Sequence, residues 1–383
     1  MVKLGDVCRV LSGTTPDTNN PAYWKGNLPW ITPAEITEDS DIIFDTKRAI
    51  SKEAVEKKGL PLLPKGTVLL SSRAPIGKVA IAGIDMYCNQ GFKNLVCSDK
   101  IYNKYLYFFL KSKTKFLNSL GRGATFKEIS KSIVENILIP CPNIQIQKQI
   151  AERLDKVREL IAQQKEQIAK LDLLIKSRFL DMFGDPITNP KNWPLFPLGK
   201  FISVSGGFAF PSSEFKESGL PIVRIGNINS GVFKDDHFVF YQENEKLRKY
   251  LVYPDDLVLS LTGTVGKDDY ANICFIGKKY ARYYLNQRNA KLVLTSNLDK
   301  TFIWQIFKSP EIKKRLTSLN RGVRQANISN QDILNLKVIY PDLFLQTQFA
   351  NFVKSVEQQK EVFSARLFHL EILYKSLMQE YFG

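Results

Sequence analysis

The side chains that could carry catalysis are few and scattered. The two histidines, His237 and His369, lie far apart and belong to no HExxH or HxH motif, so a surface or packing role is favoured. The carboxylate pairs Asp255–Asp256 and Asp268–Asp269 fit turns better than metal binding. Neither an NPPY- or DPPY-like tetrapeptide nor a glycine-rich opening for S-adenosylmethionine is present. The sequence therefore predicts a chain that binds rather than catalyses, with no metal and no cofactor of its own.

The charge of the chain favours a polyanionic ligand. Formal net charge is +16 with a pI of about 9.4, and the basic residues are dispersed rather than gathered into a tail. Such surfaces face nucleic acid or an anionic membrane. No apolar run is long enough to cross a bilayer and no signal pattern opens the sequence, so a cytoplasmic protein is expected. The odd number of cysteines without a CxxC pair favours buried thiols: Cys8, Cys88, Cys97, Cys141 and Cys274.

If the polyanion is a nucleic acid, polar and basic residues at predicted turns are the best candidates for contact with it. Arg can donate paired hydrogen bonds to guanine, Asn and Gln can pair with adenine, and Lys mostly holds phosphates. In the first half the candidates are Ser72, Arg73, Lys78, Asn89, Gln90, Lys93, Arg122, Thr125 and Lys127. In the second half they are Arg224, Thr262, Thr264, Lys267, Arg282, Tyr283, Arg288, Arg321, Arg324, Gln325 and Asn327. For any one of them, a solvated surface side chain is the alternative.

An internal repeat organises the chain. LGDVCRVLSGTTP near the start is echoed by LGKFISVSGGFAFP in the second half, and YCNQ is echoed by YLNQ. Residues 115–184 align with 314–383 without a gap, and 20 of these 70 positions are identical, where chance would give about 4. The chain is therefore a tandem duplication of a whole domain followed by a helix.

The repeat separates two kinds of candidate. Residues kept in both halves cannot encode two different targets, so the Asn–Gln pairs are expected to be structural. By the same reasoning Arg122 and Arg321 suit phosphate anchors better than base readers. Arg324 and Gln325, which stand where the first half has Thr125 and Phe126, are not shared and are better candidates for reading bases.

Each half starts with a β-rich section and ends in a long helix. Short apolar runs bounded by turn residues, such as LPWITPAEI and KGTVLLS, predict strands. Helices are predicted at 103–120 and 300–319, where Pro310 marks a break. Each long helix, of about 35 to 38 residues, carries an apolar stripe at 3- and 4-residue spacing that is typical of a coiled coil. The predicted helix–helix interface comprises Ile150, Leu154, Val157, Ile161, Ile168, Leu171, Ile175, Phe349, Phe352, Val356, Phe363, Leu370, Leu373 and Leu377.

The stripe does not say whether the helices run parallel or antiparallel, and packing of each helix on its own domain is the alternative. Between the halves, GDPITNPKNWPLFPLG holds four prolines and predicts a stiff, extended linker.

The order of motifs, repeated twice, resembles the specificity subunits of type I restriction–modification systems. The resemblance covers essentially the whole chain, although each motif alone is weak. In the first half it is carried by Gly5, Asn89, Gln90, Arg122, Gly123, Ile129, Ser130, Pro142, Gln147, Gln149, Ala151 and Gly184. In the second half it is carried by Gly199, Asn286, Gln287, Arg321, Gly322, Ile328, Ser329, Pro341, Gln346, Gln348, Ala350 and Gly383.

The resemblance implies an α+β fold with an internal pseudo-twofold repeat and an antiparallel coiled coil of the two long helices. It implies target recognition domains at 1–143 and 198–342, spacer helices at 144–183 and 343–383, and a linker at 184–197. Each domain would recognise one half of a bipartite site in double-stranded DNA. Two methyltransferase subunits, which would carry S-adenosylmethionine, would dock on the assembly, and two restriction subunits can join.

Two other functions are weighed against this one. A self-sufficient modification or restriction enzyme is disfavoured by the missing methyltransferase and nuclease motifs. A basic coiled-coil scaffold that binds nucleic acid without sequence preference would show salt-sensitive binding to any sequence.

Overall fold

The computed structural model describes residues 1–37, 40–73, 75–122, 127–265, 267–318 and 325–383, apart from the side chain of Gln325. Two compact units result: unit 1 comprises residues 1–166 and 364–383, and unit 2 comprises residues 167–363. In the described part, no helix is both long enough and apolar enough to span a membrane.

Unit 1 is built on small sheets flanked by helices. Its strands are β1 (Val2–Lys3), β2 (Cys8–Ser12), β3 (Leu28–Ile31), β4 (Ile42–Ile43), β5 (Arg48–Ile50), β6 (Val68–Leu70), β7 (Val79–Ala82), β8 (Tyr87–Cys88), β9 (Lys93–Cys97) and β10 (Leu138–Ile139). One sheet has the order β2-β9-β6-β7-β4 and another the order β5-β3-β8, and β1 pairs with β10. The helices are α1 (Leu4–Val7), α2 (Lys52–Lys58), α3 (Asn103–Ser112), α4 (Thr114–Ser119), α5 (Lys131–Glu135) and the start of α6 (Ile144–Phe183).

Unit 2 repeats this arrangement. Its strands are β11 (Leu195–Pro197), β12 (Ile202–Gly206), β13 (Leu220–Val223), β14 (Val239–Tyr241), β15 (Leu251–Val252), β16 (Leu257–Ser260), β17 (Thr262–Thr264), β18 (Ile273–Phe275), β19 (Tyr283–Leu285), β20 (Asn289–Leu294), β21 (Gln325–Asn327) and β22 (Lys337–Ile339). The sheets have the orders β12-β20-β16-β18 and β14-β13-β19-β15, with the pairs β11-β22 and β17-β21. The helices are α7 (Ile225–Ile228), α8 (Lys300–Phe307), α9 (Pro310–Ser318), α10 (Asn330–Asn335) and α11 (Leu343–Phe382).

Strand register confirms that the repeat in sequence is a repeat of fold. In unit 1, β3 and β8 run parallel with Trp30 beside Tyr87. In unit 2, β13 and β19 run parallel with Ile222 beside Tyr284. The predicted break at Pro310 is confirmed, because α8 ends before it and α9 begins at it. The single helix predicted at 103–120 is wrong, since Lys113 separates α3 from α4.

The long helices run antiparallel, as expected. In unit 1, Arg153 donates to the Tyr381 hydroxyl at 3.3 Å, and the Lys165 ammonium lies 3.5 Å from Glu371. The residue numbers along α11 therefore decrease as those along α6 increase, as they must in an antiparallel pair. Each helix has 40 residues, which corresponds to about 60 Å.

Both ends of each long helix enter a core. Leu154 near the start of α6 and Phe349 near the start of α11 pack on their own domains, as the alternative predicted, but the C-terminal ends pack on the domain of the other repeat. In unit 2, the rings of Phe183 and Phe302 lie 5.0 Å apart. In unit 1, the rings of Phe382 and Tyr105 lie 5.2 Å apart. The helix of one repeat therefore completes the hydrophobic core of a domain from the other repeat.

The predicted interface of α11 is wrong at Leu373, whose side chain is 45% exposed. The neighbouring Tyr374 is half-buried instead, and so are Lys360 and Leu367. Lys360 donates to Asp172 at 2.7 Å and to Glu357 at 3.0 Å, which offsets the cost of placing a cation there. The charged Lys360 lies on the inner face of α11, and the residues that face inward there lie one position later than the apolar stripe predicted. The other predicted interface residues are buried or half-buried.

The segment after α6 is folded, so the prediction of a stiff, extended linker is wrong. The Trp193 indole N–H donates to the Phe183 carbonyl at 2.9 Å. The Asn189 side-chain amide donates to the Trp193 carbonyl and accepts from the Trp193 N–H. Strand β11 then pairs with β22. These residues form part of the core of unit 2 rather than a spacer.

A buried polar network joins α6 to the β-rich part of unit 1. Arg158 lies 2.5 Å from the Asp41 carboxylate, and the Tyr107 hydroxyl donates to the same oxygen at 2.5 Å. Burial opposes ionisation of Asp41, but the hydrogen bonds from Arg158 and Tyr107 outweigh it and lower the pKa of this carboxyl.

Candidate nucleic-acid interface

Three segments that are distant in sequence meet in unit 1. The Ser72 N–H donates to the Gly91 carbonyl at 2.7 Å, and the Ile129 N–H donates to the Ser72 carbonyl at 3.0 Å. The end of β6, the turn after β8 and the approach to α5 are thereby placed side by side. Candidates from all three segments come together, although no pattern in the sequence indicates that these segments touch.

The same three segments meet in unit 2 through the same bonds. The Leu261 N–H donates to the Arg288 carbonyl at 2.9 Å, and the Ile328 N–H donates to the Leu261 carbonyl at 2.9 Å. Ser72 therefore corresponds to Leu261, Gly91 to Arg288, and Ile129 to Ile328. We call this arrangement the three-segment surface of each unit.

The edge of the three-segment surface differs between the units. In unit 2, β17 and β21 form a two-stranded antiparallel ribbon in which Thr262 faces Asn327. In unit 1, the pairing that the described residues show at this place is a bridge between Arg73 and Glu128. A two-stranded ribbon is one of the elements that fit the major groove of DNA.

Glu128 is a residue of this surface that sequence reasoning missed. Its backbone exchanges two hydrogen bonds with Arg122, both at 3.0 Å. Its carboxylate lies 3.0 Å from the Lys93 ammonium and 3.9 Å from the Arg73 guanidinium. In the sequence, the only indication of its role is its position, one residue before the Ile–Ser pair that both halves share.

Asn89 and Asn286 shape the turns of the surface, which agrees with their expected structural role. The Asn89 side chain accepts from the Gly91 N–H at 3.0 Å, and the Asn286 side chain accepts from the Arg288 N–H at 3.3 Å. A Cβ atom on the glycine of the SG motif in unit 1, Gly13, would lie 2.0 Å from the Asn89 carbonyl. The shared residues therefore preserve a backbone shape.

Three predicted contact residues are buried, so their prediction as DNA contacts is wrong. Ser72 and Tyr283 have no exposed surface, and Lys93 is 8% exposed. Tyr283 belongs to the core, where its hydroxyl donates to the Gly277 carbonyl at 3.1 Å. A side chain without exposed surface cannot reach a base edge or a phosphate.

Other candidates are accessible but already hold the fold. The Lys78 ammonium donates to the Pro33 carbonyl at 2.9 Å, and Arg224 donates to the His237 carbonyl at 3.1 Å. Arg282 is paired with Glu243 at 2.8 Å. The contacts of these three side chains support a structural role, in which they hold neighbouring segments in position.

The remaining described candidates are exposed or half-buried: Arg73, Asn89, Gln90, Arg122, Lys127, Thr262, Thr264, Lys267, Arg288 and Asn327. Thr264 is tied to Asp269, whose carboxylate accepts from the Thr264 N–H at 2.8 Å and from its hydroxyl at 2.9 Å. The bond from the Thr264 backbone is the main cause that lowers the pKa of Asp269. Thr125, Arg321 and Arg324 lie outside the described residues, as does the side chain of Gln325.

A family model described as "Type I restriction modification DNA specificity domain" matches residues 1–172 and 190–367. The two matches follow the two halves of the repeat and together cover most of the chain.

Curated relatives and solved structures carry related descriptions. The chain is 35% identical over 250 residues to the type I restriction enzyme MjaIX specificity subunit of Methanocaldococcus jannaschii, a match that spans 60% of this chain and 58% of that protein. It is 26% identical to the MjaVIII specificity subunit of the same organism, over 99% of this chain and 90% of that protein. The crystal structure of a type I restriction–modification S subunit from M. genitalium has the same fold, with a TM-score of 0.60, 16% identity, and coverage of 100% of this chain and 95% of that chain.

Proposed function

Since the chain belongs to the family of type I restriction–modification DNA specificity proteins, we propose that it recognises a bipartite DNA sequence, one part with each unit. The observation that carries this proposal is the three-segment surface, which is built twice on the same backbone bonds. The same scaffold presents different side chains in the two units. Two different readers on one chain make the target asymmetric.

The exposed side chains of the surface have the chemistry that this task requires. Unit 1 presents Gln90, Arg122 and Lys127, and unit 2 presents Thr264, Gln287 and Arg288. Arg and Gln can each make paired hydrogen bonds to one base edge, and Lys can hold a phosphate. The net charge of +16 supplies the attraction to the backbone that any sequence would feel.

The chain would act as the targeting part of a larger assembly in the cytoplasm. Its relatives are named as specificity subunits of restriction enzymes, which supports a partner that carries the chemistry. We propose two methyltransferase subunits with bound S-adenosylmethionine as partners, and two restriction subunits that can join. In this scheme the chain positions the methyltransferase on DNA and catalyses nothing itself.

Co-expression tests the proposal directly. The full chain is expressed with methyltransferase subunits encoded beside its gene, and the host DNA is sequenced by a single-molecule method that detects methylated bases. We expect one bipartite motif with a fixed spacer, present only when this chain is present. Methylation without a motif, or salt-sensitive binding to all sequences alike, would contradict the proposal and favour the scaffold alternative.

Two variants assign the halves of the motif to the units. Arg73→Ala should relax only the half read by unit 1, and Arg288→Ala only the half read by unit 2, because neither arginine is shared between the halves. The loss of a paired contact to a base is expected to cost about 1–3 kcal/mol at one position. Lys176→Ala, which removes an exposed charge from α6, is the matched control and should leave the motif unchanged.

A further inference from the structure

Lys93 is a cation buried beneath the three-segment surface of unit 1. Its side chain is 9% exposed. The ammonium donates to Glu128 at 3.0 Å and lies 3.5 Å from the Ser72 hydroxyl. A buried ammonium is tolerated only with a counter-charge and hydrogen bonds, so Lys93 depends on Glu128.

Glu128 in turn holds the backbone of the exposed candidates. Two backbone bonds join Glu128 to Arg122, and a bridge joins Glu128 to Arg73. Lys127 lies next to Glu128 and is exposed. The ion pair, in which Lys93 is buried and the side chain of Glu128 is 37% exposed, therefore anchors this backbone to β9, the strand on which Lys93 lies.

Unit 2 provides an internal comparison, because strand register identifies the corresponding positions. Leu95 pairs with Val68 of β6, and Leu292 pairs with Leu257 of β16, so Leu95 corresponds to Leu292. Two residues earlier, Lys93 corresponds to Ala290.

The charged residues of this cluster in unit 1 are all replaced by uncharged residues in unit 2. Lys93 corresponds to Ala290, Arg73 to Thr262, and Glu128 to Asn327. The described residues of unit 1 show a charged cluster with a backbone bridge between Arg73 and Glu128, and unit 2 has uncharged residues in a ladder of three facing pairs between β17 and β21. Joint replacement is what a coupled pair requires, since loss of Glu128 alone would leave the buried ammonium of Lys93 without its counter-charge.

We propose that the Lys93–Glu128 ion pair is a positioning element that sets the half-site specificity of unit 1. The inference rests on the proposed function and deepens it. The pair contacts no DNA. It fixes the backbone from which Arg122 and Lys127 reach the DNA, whereas the ladder between β17 and β21 does this in unit 2.

The experiment uses the complete complex with its methyltransferase and measures binding to DNA in which either half-site is scrambled. The variants are Lys93→Ala, Glu128→Gln and the double variant Lys93→Ala with Glu128→Asn, which installs the pair found in unit 2. We expect each single variant to lose about tenfold or more of the discrimination at the half-site of unit 1. Discrimination at the other half-site should stay unchanged, and the double variant should be less impaired than either single variant.

The dependence of binding on salt separates positioning from phosphate contact. Lys93→Ala should leave the slope of log affinity against log salt unchanged, because a buried lysine releases no counterion. Lys127→Ala provides the comparison, because it measures the same slope after the loss of an exposed lysine next to Glu128. Lys131→Ala, which breaks an exposed pair with Glu135, is the matched control for the loss of an ion pair.

Each outcome decides the inference. Unchanged discrimination in Lys93→Ala overturns it, and so does an equal loss at both half-sites, which would indicate general unfolding. A wild-type complex with no bipartite preference would remove the proposed function and this inference together. A wild-type complex with a clear motif and an unaffected variant would remove the inference alone.

Discussion

A buried glutamine in the first turn of each long helix joins the helix to its domain by hydrogen bonds, and this role, which we call the glutamine clamp, can be tested. Gln147 and Gln346 are both fully buried. Gln147 accepts from the Tyr102 N–H at 2.9 Å and donates to the carbonyls of Lys100 and Pro142 at 2.9 and 2.8 Å. Gln346 accepts from a single backbone N–H at 3.0 Å and donates to one carbonyl at 2.9 Å.

The number of bonds sets the expected magnitude. At a net value of about 0.5–1.5 kcal/mol for each hydrogen bond, Gln147→Ala should destabilise its junction by about 2–4 kcal/mol and Gln346→Ala by about 1–3 kcal/mol. Hydrogen exchange by mass spectrometry on peptides that cover 98–106 and 296–303 measures each junction separately. Exchange should rise at the affected junction only, by at least about thirtyfold in Gln147→Ala and at least about fivefold in Gln346→Ala, since 1.4 kcal/mol corresponds to a factor of ten.

The second glutamine of each shared motif provides the control. Gln149 and Gln348 are kept in both halves but are exposed. Their replacement by alanine should leave exchange at both junctions unchanged. If Gln149→Ala increased exchange as much as Gln147→Ala, the clamp reasoning would be refuted, and the motif would need another explanation.

Three further predictions concern stability. Phe382→Ala should cost about 3–5 kcal/mol, because the ring is 2% exposed in the core of unit 1, whereas Phe368→Ala on the exposed face of α11 should cost almost nothing in thermal unfolding. Because the pKa of Asp41 is lowered in the folded state, its stabilisation is present above the unfolded pKa of about 3.9 and is lost as pH falls through the lower folded value; acid unfolding of Asp41→Asn should lack this component. Trp193→Ala should cost about 1–3 kcal/mol, measured by denaturant unfolding, and no loss would restore the reading of this segment as a free linker.

Patterns that are local in sequence predicted most of the fold. Apolar periodicity gave both long helices to within a few residues, and the break at Pro310 follows from the chemistry of proline. The interface was misplaced at Leu373 because Lys360 occupies an inner position. A scale of hydrophobicity cannot see that a cation is neutralised by carboxylates from elsewhere in the chain.

The candidate site was predicted in composition but not in geometry. Polar residues at turns were found, and the structural role of the shared Asn89 follows from comparison of the halves. Lys93 was assigned to the surface because a lysine is usually exposed. Its burial depends on Glu128, which lies 35 residues away in sequence, so only the fold brings the two together.

The place of Phe382 has a consequence for the order in which the protein is made. The ring closes the hydrophobic core of unit 1 beside Tyr105 and Phe109, yet the ribosome adds it only after the whole of unit 2. Until then, the apolar patch on α3 is uncovered and open to chaperones or to misassembly with a neighbouring chain. A premature stop codon within α11 would therefore harm unit 1, although the codons of its β-rich part are intact.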